Sequence, residues 1–296
     1  LLLPYFVRGL FQGREFEESF EPGVWEELFR HWGKYPHGFL IKALEACLFR
    51  TESIEAPSIE IGVYRGDTSR AVFCGRSLDV GLEFVPIHLL HYAGVDAGIH
   101  ARLLAGDIYA IPFQDMTFNS CFTVHSIDDL QRGADGAIAE CARILAPGGK
   151  LVFSTYSGEF GDHNLIIAGL RRLGFSAAAE RLFRLIYVGT DNLLSRSEWD
   201  VLFKTHGLEV ERWVPFYPLP AARLSDLAFR IEGYLLNLFG FHDAVKPLMG
   251  LDRPGKIYRR TLMLVLRGLW AASQSADGQE RPGINIFVTL RKTVGD

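Results

Sequence analysis

The feature that most constrains this fold is a series of short apolar runs that alternates with helical stretches from residue 59 onward. Five runs predict strands, each bounded by Gly, Asp, Asn or Pro: SIEIGV, LDVGLEFV, ARLLAGD, NSCFTVHS and GKLVFST. Strands that alternate with helices indicate a parallel sheet. The helix predicted for Ala134 to Leu145 ends at a turn formed by Pro147, Gly148 and Gly149.

The two ends of the chain extend this pattern. Before Pro57 the apolar spacing is helical, as in the stretch from Phe39 to Phe49. Later, Ser195 and Glu198 have the spacing of a capping box for a helix that reaches His206. Two further strands are predicted, LEVERWVPF and INIFVTLRK, with about sixty residues between them.

Composition excludes several classes of protein. A chain of 296 residues that is 48% hydrophobic can bury a full core, and its net charge of −4 argues against a nucleic acid partner. The four cysteines form no CxxC pair, which disfavours disulfides and metal sites. No apolar run approaches the ~20 residues that span a bilayer, and the opening residues lack the pattern of a signal peptide. We therefore expect a cytoplasmic protein without a metal.

The loop IEIGVYRGDTS, residues 59–69, is the first candidate binding element. Gly62 and Gly66 allow a tight turn, and the amides after Gly66 present a helix start. A glycine pair alone fits a plain strand-to-helix turn equally well. The second strand ends at Glu83, about twenty positions after Glu60, the spacing at which an acid binds ribose hydroxyls in nucleotide-binding βαβ units.

Four segments in a fixed order carry a family resemblance: EIGVYRG at 60–66, GLE at 81–83, GDIYAIPFQDMTFNSCFTV at 106–124 and RILAPGGKLVFST at 143–155. Together, over roughly residues 57–157, they resemble the class I S-adenosylmethionine-dependent methyltransferases, especially those that act on small molecules. The resemblance implies a Rossmann-like α/β fold, with a mostly parallel seven-stranded sheet whose last strand is antiparallel, and helical cap insertions. It also implies S-adenosylmethionine as cofactor and S-adenosylhomocysteine as product.

The resemblance assigns cofactor-binding roles to Glu60, Gly62, Tyr64, Gly66, Glu83, Phe84, Asp107, Ile108 and His125. Glu60 and Gly62 would border the methionine part, and Glu83 would bind the ribose hydroxyls. Asp107 would accept from the adenine amino group, while Phe84 and Ile108 would line the adenine slot. Tyr64 replaces a glycine of the family: it would clash with the donor, cover the sulfonium as an aromatic wall, or pack against the N-terminal helices.

Catalysis in this family depends mainly on placement, and a base is needed only when the acceptor must lose a proton. His125, at the carboxyl end of the fourth strand, is the best-placed ionisable group. It is a base or acceptor-binding residue, a ligand to the donor, or a structural histidine held by hydrogen bonds. His163, after the fifth strand, is the weaker catalytic candidate.

The resemblance divides the chain into a helical leader and cap (1–55), a cofactor-binding core (56–160), a helical lid (161–195), a core helix with the sixth strand (196–216), an acceptor cap (217–280) and the seventh strand with the tail (281–296). The added helices are rich in Phe, Leu, Tyr and Trp, which favours a small apolar or aromatic acceptor, methylated on O, N or C. Within the cap, an amphipathic stripe at 224–238 and the basic, apolar stretch at 257–272 are open to three readings: contact with a membrane or lipid-like acceptor, a dimer interface, or burial in the core.

Two other functions remain open. An NAD(P)-dependent oxidoreductase would share the fold, although it should carry GxGxxG where this loop offers GxxxG. A catalytically silent binding protein with the same fold is the other alternative.

Overall fold

A computed structural model describes residues 22–32, 36–93, 98–187, 189–190, 192–227, 256–274 and 283–294. The helices are α1 Pro22–Trp32, α2 Pro36–Arg50, α3 Asp67–Val72, α4 Pro86–Ala93, α5 Ala134–Ile144, α6 Leu165–Arg172, α7 Ser176–Ile186, α8 Arg196–Thr205 and α9 Lys256–Gln274, with a 3₁₀ turn at Phe160–His163. The strands are β1 Ser58–Ile61, β2 Leu78–Glu83, β3 His100–Ala105, β4 Phe118–Val124, β5 Leu145–Tyr156, β6 Leu208–Pro218 and β7 Gly283–Lys292.

The strands form one seven-stranded sheet in the order β3-β2-β1-β4-β5-β7-β6. Strands β1 to β5 pair in parallel, whereas β7 runs antiparallel between β5 and β6. This topology confirms the predicted Rossmann-like class, including its antiparallel last strand. The direction of winding reverses between β1 and β4, the position at which open α/β sheets bind their ligands.

The connection between α5 and β5 differs in detail from the sequence prediction. Helix α5 ends at Ile144 and β5 begins at Leu145, so the predicted turn lies inside the extended segment. Gly148 has a φ of 78°, and a Cβ on Gly149 would lie 2.9 Å from the Ala146 carbonyl oxygen. Only glycine accommodates these constraints, which explains the irregular pairing of β5 with β4 at this point.

Apolar side chains cover both faces of the sheet. On one face, α1, α2 and α9 pack over Phe122, Val152 and Phe287. On the other face, α5 and α8 bury Ile138, Trp199 and Phe203 against β4 and β5. The predicted capping box of α8 is present, with Ser195 and Glu198 bonded to each other's backbone amides. The helices before residue 57 are therefore part of the main core.

The predicted acceptor cap, 217–280, lies largely outside the described residues. Its described parts are a helical stretch at 219–227 and helix α9. Leu224 and Leu227 are exposed, whereas the later positions of the predicted stripe fall outside the description. Helix α9 buries Leu262, Leu266 and Leu269 in the core, which supports the burial reading for this stretch. None of the described helices has both the length and the apolar character that a membrane crossing requires.

Candidate functional site

The loops that follow β1 to β4 meet at the carboxyl edge of the sheet and are joined by hydrogen bonds. The Gly62 amide donates to the Leu82 carbonyl at 2.8 Å, and the Gly106 amide donates to the Glu83 carbonyl at 3.0 Å. The Ser126 hydroxyl lies 3.3 Å from the Gly62 carbonyl oxygen, to which it donates. The sequence-predicted loops around 62, 83 and 107 therefore lie next to one another at this edge.

Glycine is required at two positions of the first loop. Gly62 has a φ of 78°, and a Cβ there would lie 2.1 Å from the Ser126 hydroxyl oxygen. Gly66, also at a φ of 78°, turns the chain into α3. Both residues adopt the left-handed conformation that other residues enter only at a cost. The glycine pair thus shapes a tight loop around the end of β1.

The Glu83 carboxylate is buried and directed toward this loop. Its Oε2 accepts the backbone N–H of Tyr64 at 2.6 Å, and its Oε1 accepts the N–H of Val85 at 2.8 Å. The His88 Nδ1 lies 3.3 Å from Oε1. An ionised carboxylate only accepts hydrogen bonds. It is therefore suited to neutral donors such as ribose hydroxyls.

Tyr64 has an unusual backbone conformation, with a φ of 50°. Its side chain is 53% exposed, and its ring meets that of His88 edge-on, with ring centroids 4.3 Å apart. The ring therefore lies on α4. The amide of Tyr64, held by Glu83, lies where the resemblance places the ribose.

The third loop places Asp107 at the surface beside Ile108. The half-exposed Asp107 carboxylate accepts the Tyr109 N–H at 2.9 Å and faces the Arg132 guanidinium at 3.2 Å. Ile108 is buried, while Phe84 is 37% exposed. A surface ion pair of this kind contributes little energy, so Asp107 can exchange Arg132 for another donor.

Glu60 lies within the sheet, where both of its carboxylate oxygens have partners. Oε1 accepts the Ser69 hydroxyl at 2.8 Å, and Oε2 lies 2.8 Å from the His100 Nε2. A Cβ on Gly81 would lie 2.9 Å from the His100 ring, so the glycine makes room for this contact. The placement of Glu60 beside the methionine part of a donor stays a prediction.

His125 follows β4 with a φ of 50°, and this turn directs its ring to the side of the sheet covered by α2. Its Nε2 lies 3.2 Å from Oε1 of Glu45, and its Nδ1 lies 3.5 Å from Oδ1 of Asp128. Neither nitrogen makes a well-aligned hydrogen bond. The Tyr156 ring packs against it, with centroids 4.6 Å apart. His125 thus sits between two buried carboxylates and an aromatic ring.

Glu45 is completely buried in α2. Its Oε2 accepts from Lys42 Nζ at 2.7 Å, and its Oε1 accepts a short hydrogen bond from the Ser154 hydroxyl. Burial acts to raise the pKa of Glu45, but Lys42, His125 and Ser154 together bring it below its ordinary value of 4.5. Glu45 is therefore a carboxylate at neutral pH.

A row of aromatic rings extends from His125 away from the cofactor loops. Tyr156 stacks on Phe160 at 3.9 Å, and Phe160 meets Tyr187 at 5.1 Å. Burial, followed by the nearby carboxylates of Asp128, Asp129 and Glu45, raises the pKa of Tyr156, so its hydroxyl keeps its proton.

His163 lies in this row and is not the exposed loop histidine that the sequence suggested. It is buried; its Nδ1 donates to the Phe160 carbonyl, and its Nε2 lies 2.9 Å from the Tyr187 hydroxyl. Because a carbonyl only accepts, Nδ1 carries the proton and Nε2 accepts from Tyr187. His163 therefore has a structural explanation independent of catalysis.

Sequence reasoning missed three residues of this site: Glu45, Ser126 and Tyr156. One signal was available for Glu45, because an acid occurs among apolar residues in the helical stretch ALEACLF, where its burial requires partners. Ser126 and Tyr156 carry no comparable signal. Their roles depend on the packing of β4 and β5.

The residues of the loops after β1 to β4 fit S-adenosylmethionine in the chemistry of their groups. Glu83 and Asp107 provide acceptors for hydroxyls and an amine, and Phe84 provides a partly exposed ring beside them. In the described part of the chain, no group of three or more His, Cys, Asp or Glu side chains is arranged to hold a metal ion. Two surface cavities of about 360 and 340 Å³ lie elsewhere, between α5 and α8 and beside Arg70 and Gly98.

Comparison with known proteins agrees with this arrangement. Residues 61–153 match the family model described as "Methyltransferase domain". A malonyl-[acyl-carrier protein] O-methyltransferase of Methylococcus capsulatus is 34% identical over 80 residues, which span 27% of this chain and 28% of that protein.

Two solved structures share the fold at low sequence identity. Phosphoethanolamine N-methyltransferase 2 of Haemonchus contortus, solved with phosphomonomethylethanolamine and S-adenosylhomocysteine, aligns with a TM-score of 0.52 at 14% identity, over 93% of this chain and 61% of that one. An S-adenosylmethionine-dependent methyltransferase of Mesorhizobium loti aligns with a TM-score of 0.51 at 13% identity, over 86% of this chain and 100% of that one. The ordered motifs, the sheet topology and the matched segment therefore place a methyltransferase domain at residues 61–153 of this chain.

Proposed function

We propose that this protein transfers the methyl group of S-adenosylmethionine to a small apolar or aromatic molecule. The observation that carries the proposal is the convergence of the Gly62, Glu83 and Asp107 loops beside His125. When bound, S-adenosylmethionine supplies an activated methyl group and leaves as S-adenosylhomocysteine. The chain's own residues bind the donor, orient the acceptor and receive a proton where one is released.

Donor binding requires two exchanges of partner. Glu83 releases the Tyr64 amide, which lies at 2.6 Å, and accepts the ribose hydroxyls. Asp107 gives up its exposed contact with Arg132 and accepts from the adenine amino group. Phe84 and Ile108 flank the ring. The backbone around Gly62 and Gly66 allows the donor to approach closely.

His125 is the proposed catalytic residue for an acceptor that loses a proton. Its Nδ1 faces Asp128 across 3.5 Å without a well-aligned hydrogen bond. Because Nδ1 is buried here, this role requires the residues around it to move and admit an acceptor hydroxyl or amine, which then gives its proton to this nitrogen as the methyl group is transferred. Acceptors that are already ionised, such as carboxylates, need no base, so a His125 variant would affect them less.

The row of rings formed by Tyr156, Phe160 and Tyr187 supports the proposed acceptor class. Their stacked and edge-on contacts favour an apolar or aromatic molecule beside His125. The relative from Methylococcus matches only 80 residues, a length close to that of the matched domain. It therefore supports S-adenosylmethionine as the methyl donor and does not identify the acceptor. We propose that the 217–280 region completes the acceptor wall.

A labelled-methyl transfer assay tests this function. The protein is incubated with methyl-labelled S-adenosylmethionine and a panel of phenols, quinols, aromatic amines and fatty acids, and product and S-adenosylhomocysteine are measured. We expect labelled product from at least one phenolic or amine acceptor. Transfer confined to fatty acids would overturn the assignment of His125 as base.

One observation favours the catalytically silent alternative. The Tyr64 amide already occupies Glu83, and the loop adopts a strained backbone to place it there. A protein that binds S-adenosylhomocysteine but transfers no label to any acceptor in the panel would support the silent reading over the enzyme.

A further inference from the structure

We infer that Glu45, from helix α2, is a positioning residue whose fixed carboxylate faces Nε2 of His125 at 3.2 Å and balances the charge of the protonated ring. This inference rests on the proposed function, because it concerns the proposed base. Glu45 precedes the matched domain at 61–153, so the helical leader contributes directly to the site. Helix α2 then has a role at the proposed site in addition to packing on the core.

The Glu45 carboxylate lies close to the His125 ring and is held in place. Oε1 of Glu45 lies 3.2 Å from Nε2 of His125, and the same oxygen accepts from Ser154 on β5. The other oxygen is held by Lys42, one turn earlier in α2. A carboxylate fixed by two donors cannot swing away from the histidine. The Glu45 carboxylate therefore acts as a rigid partner for Nε2.

The backbone conformation of His125 is unusual and decides where its ring lies. After β4 the chain enters the left-handed region at a φ of 50°, which non-glycine residues rarely adopt and which costs energy. An extended continuation of β4 would direct the ring to the opposite face of the sheet, because side chains alternate along a strand. The turn brings the ring to the α2 side, where Glu45 and Tyr156 lie.

Glu45 also acts on the His125 ring through its negative charge. Glu45 is ionised at neutral pH, and an ionised oxygen repels a nitrogen lone pair but attracts an N–H. The neutral ring therefore carries its hydrogen on Nε2, and Nδ1 keeps the lone pair that receives the acceptor's proton. After that transfer the imidazolium faces a fixed negative charge. A catalytic base oriented by a third group in this way is a general arrangement in enzymes.

Several other charged or titratable groups surround the ring. Helix α2 contributes Lys42 as well as Glu45, the loop after β4 contributes Asp128 and Asp129, and β5 contributes Tyr156. Asp128 lies farther from the ring than Glu45, at 3.5 Å, and is itself bonded by Thr155. We therefore assign the larger effect on His125 to Glu45.

Nuclear magnetic resonance of the free protein tests the inference without an acceptor. The histidine ring signals are followed as a function of pH, and His125 is identified by the signal that disappears in His125→Asn. Nitrogen shifts report which ring nitrogen carries the hydrogen. We expect the neutral His125 ring to be protonated on Nε2 in the wild-type protein.

Two variants with opposite expected effects strengthen the test. Glu45→Gln keeps the shape of the side chain but removes its charge, and we expect the His125 titration midpoint to fall. Lys42→Met removes a competing cation and should raise the midpoint. Asp128→Asn should lower it by less than Glu45→Gln does. A residue with a merely structural role would not produce shifts of opposite sign.

The outcomes separate this inference from the proposed function. A neutral ring protonated on Nδ1, or an unchanged midpoint in Glu45→Gln, would overturn the role of Glu45 even if the protein is a methyltransferase. If Glu45→Gln does not fold, the shift of the His125 midpoint in Lys42→Met and the tautomer of the wild-type ring still test the role of Glu45. Failure of the protein to bind S-adenosylhomocysteine would overturn the proposed function and leave these ring measurements intact.

Discussion

The backbone N–H of Tyr64 lies 2.6 Å from Oε2 of Glu83, so the loop after β1 holds the carboxylate that the family resemblance assigns to the ribose. Under the proposed role of Glu83, donor binding competes with this contact inside the protein. We call the loop with the Tyr64–Glu83 contact the closed loop. The φ of 50° at Tyr64 costs energy and opposes the closed loop, whereas the packing of the Tyr64 ring on His88 favours it. The balance between them sets how readily the loop opens.

Tyr64→Gly should bind S-adenosylhomocysteine several-fold more tightly than the wild-type protein. Glycine loses the ring contact that favours the closed loop, and we expect this loss to outweigh the relief of left-handed strain, which acts in the opposite direction. Met116→Gly is the matched control, because Met116 is also exposed and has a φ of 56° in a different loop. Calorimetric titration measures both affinities. Weaker binding by Tyr64→Gly would show that the ring is a wall of the cofactor site.

The double variant Glu83→Ala, Asp107→Ala should lose nearly all affinity for S-adenosylhomocysteine. Each carboxylate is expected to make charge-assisted hydrogen bonds of ~1.5–3 kcal/mol to the donor. Asp135→Ala removes an acid that is more exposed than Asp107 and pairs with His206 at 3.0 Å, and it serves as the control for loss of a surface carboxylate. Intact binding in the double variant would show that the cofactor lies elsewhere.

His125→Ala should reduce turnover of a proton-losing acceptor by ~100-fold or more and leave the affinity for S-adenosylhomocysteine nearly unchanged. If donor binding and rate weaken equally, His125 is a cofactor ligand.

His163→Ala should instead lower thermal stability. It removes the contacts of the buried His163 ring with the Phe160 carbonyl and the Tyr187 hydroxyl, at a cost of ~1–3 kcal/mol. Thermal unfolding measures the loss. An unchanged Tm with strongly reduced turnover would restore His163 as a catalytic candidate.

Replacing two leucines of α9 one at a time tests whether this helix is buried in the core or contacts a membrane. Leu266 is fully buried, and Leu266→Ala should cost ~2–5 kcal/mol of unfolding free energy. Leu264, two residues earlier, is 43% exposed, and its replacement by Ala should change stability by no more than ~0.5 kcal/mol. Denaturant unfolding measures both. Equal small effects would indicate that α9 does not pack as described.

Stability should depend on Glu45 in a pH-dependent manner. The pKa of Glu45 is lowered in the folded protein, so its ionised form stabilises the fold at a pH above the ordinary value of 4.5. This contribution is lost as the pH falls from that value through the folded-state pKa. The stability difference between wild type and Glu45→Gln should therefore shrink on acidification in that range. A constant difference would contradict the lowered pKa.

Much of the fold was predictable because it depends on local patterns. The apolar runs around Ile59, Val80 and Val152 alternate with helical stretches, and the Ser195–Glu198 spacing marks the start of α8. The adjacency of the loops after β1 to β4 was also predictable, since the carboxyl ends of parallel strands share one edge of the sheet.

The partners of the site residues were not predictable from sequence. Glu45 and His125 are 80 positions apart, and they meet only because α2 packs on the sheet and His125 adopts a left-handed turn. The Tyr64–Glu83 contact likewise depends on a single backbone dihedral. Periodicity reports which face of an element is buried and says nothing about such tertiary contacts.

Calorimetric titration of the wild-type protein with S-adenosylhomocysteine and, separately, with NAD tests the central claim most directly. The convergence of Glu83 and Asp107 with the Gly62 loop predicts one S-adenosylhomocysteine bound per chain and no measurable binding of NAD. Binding of NAD without binding of S-adenosylhomocysteine would contradict the assignment and favour the oxidoreductase.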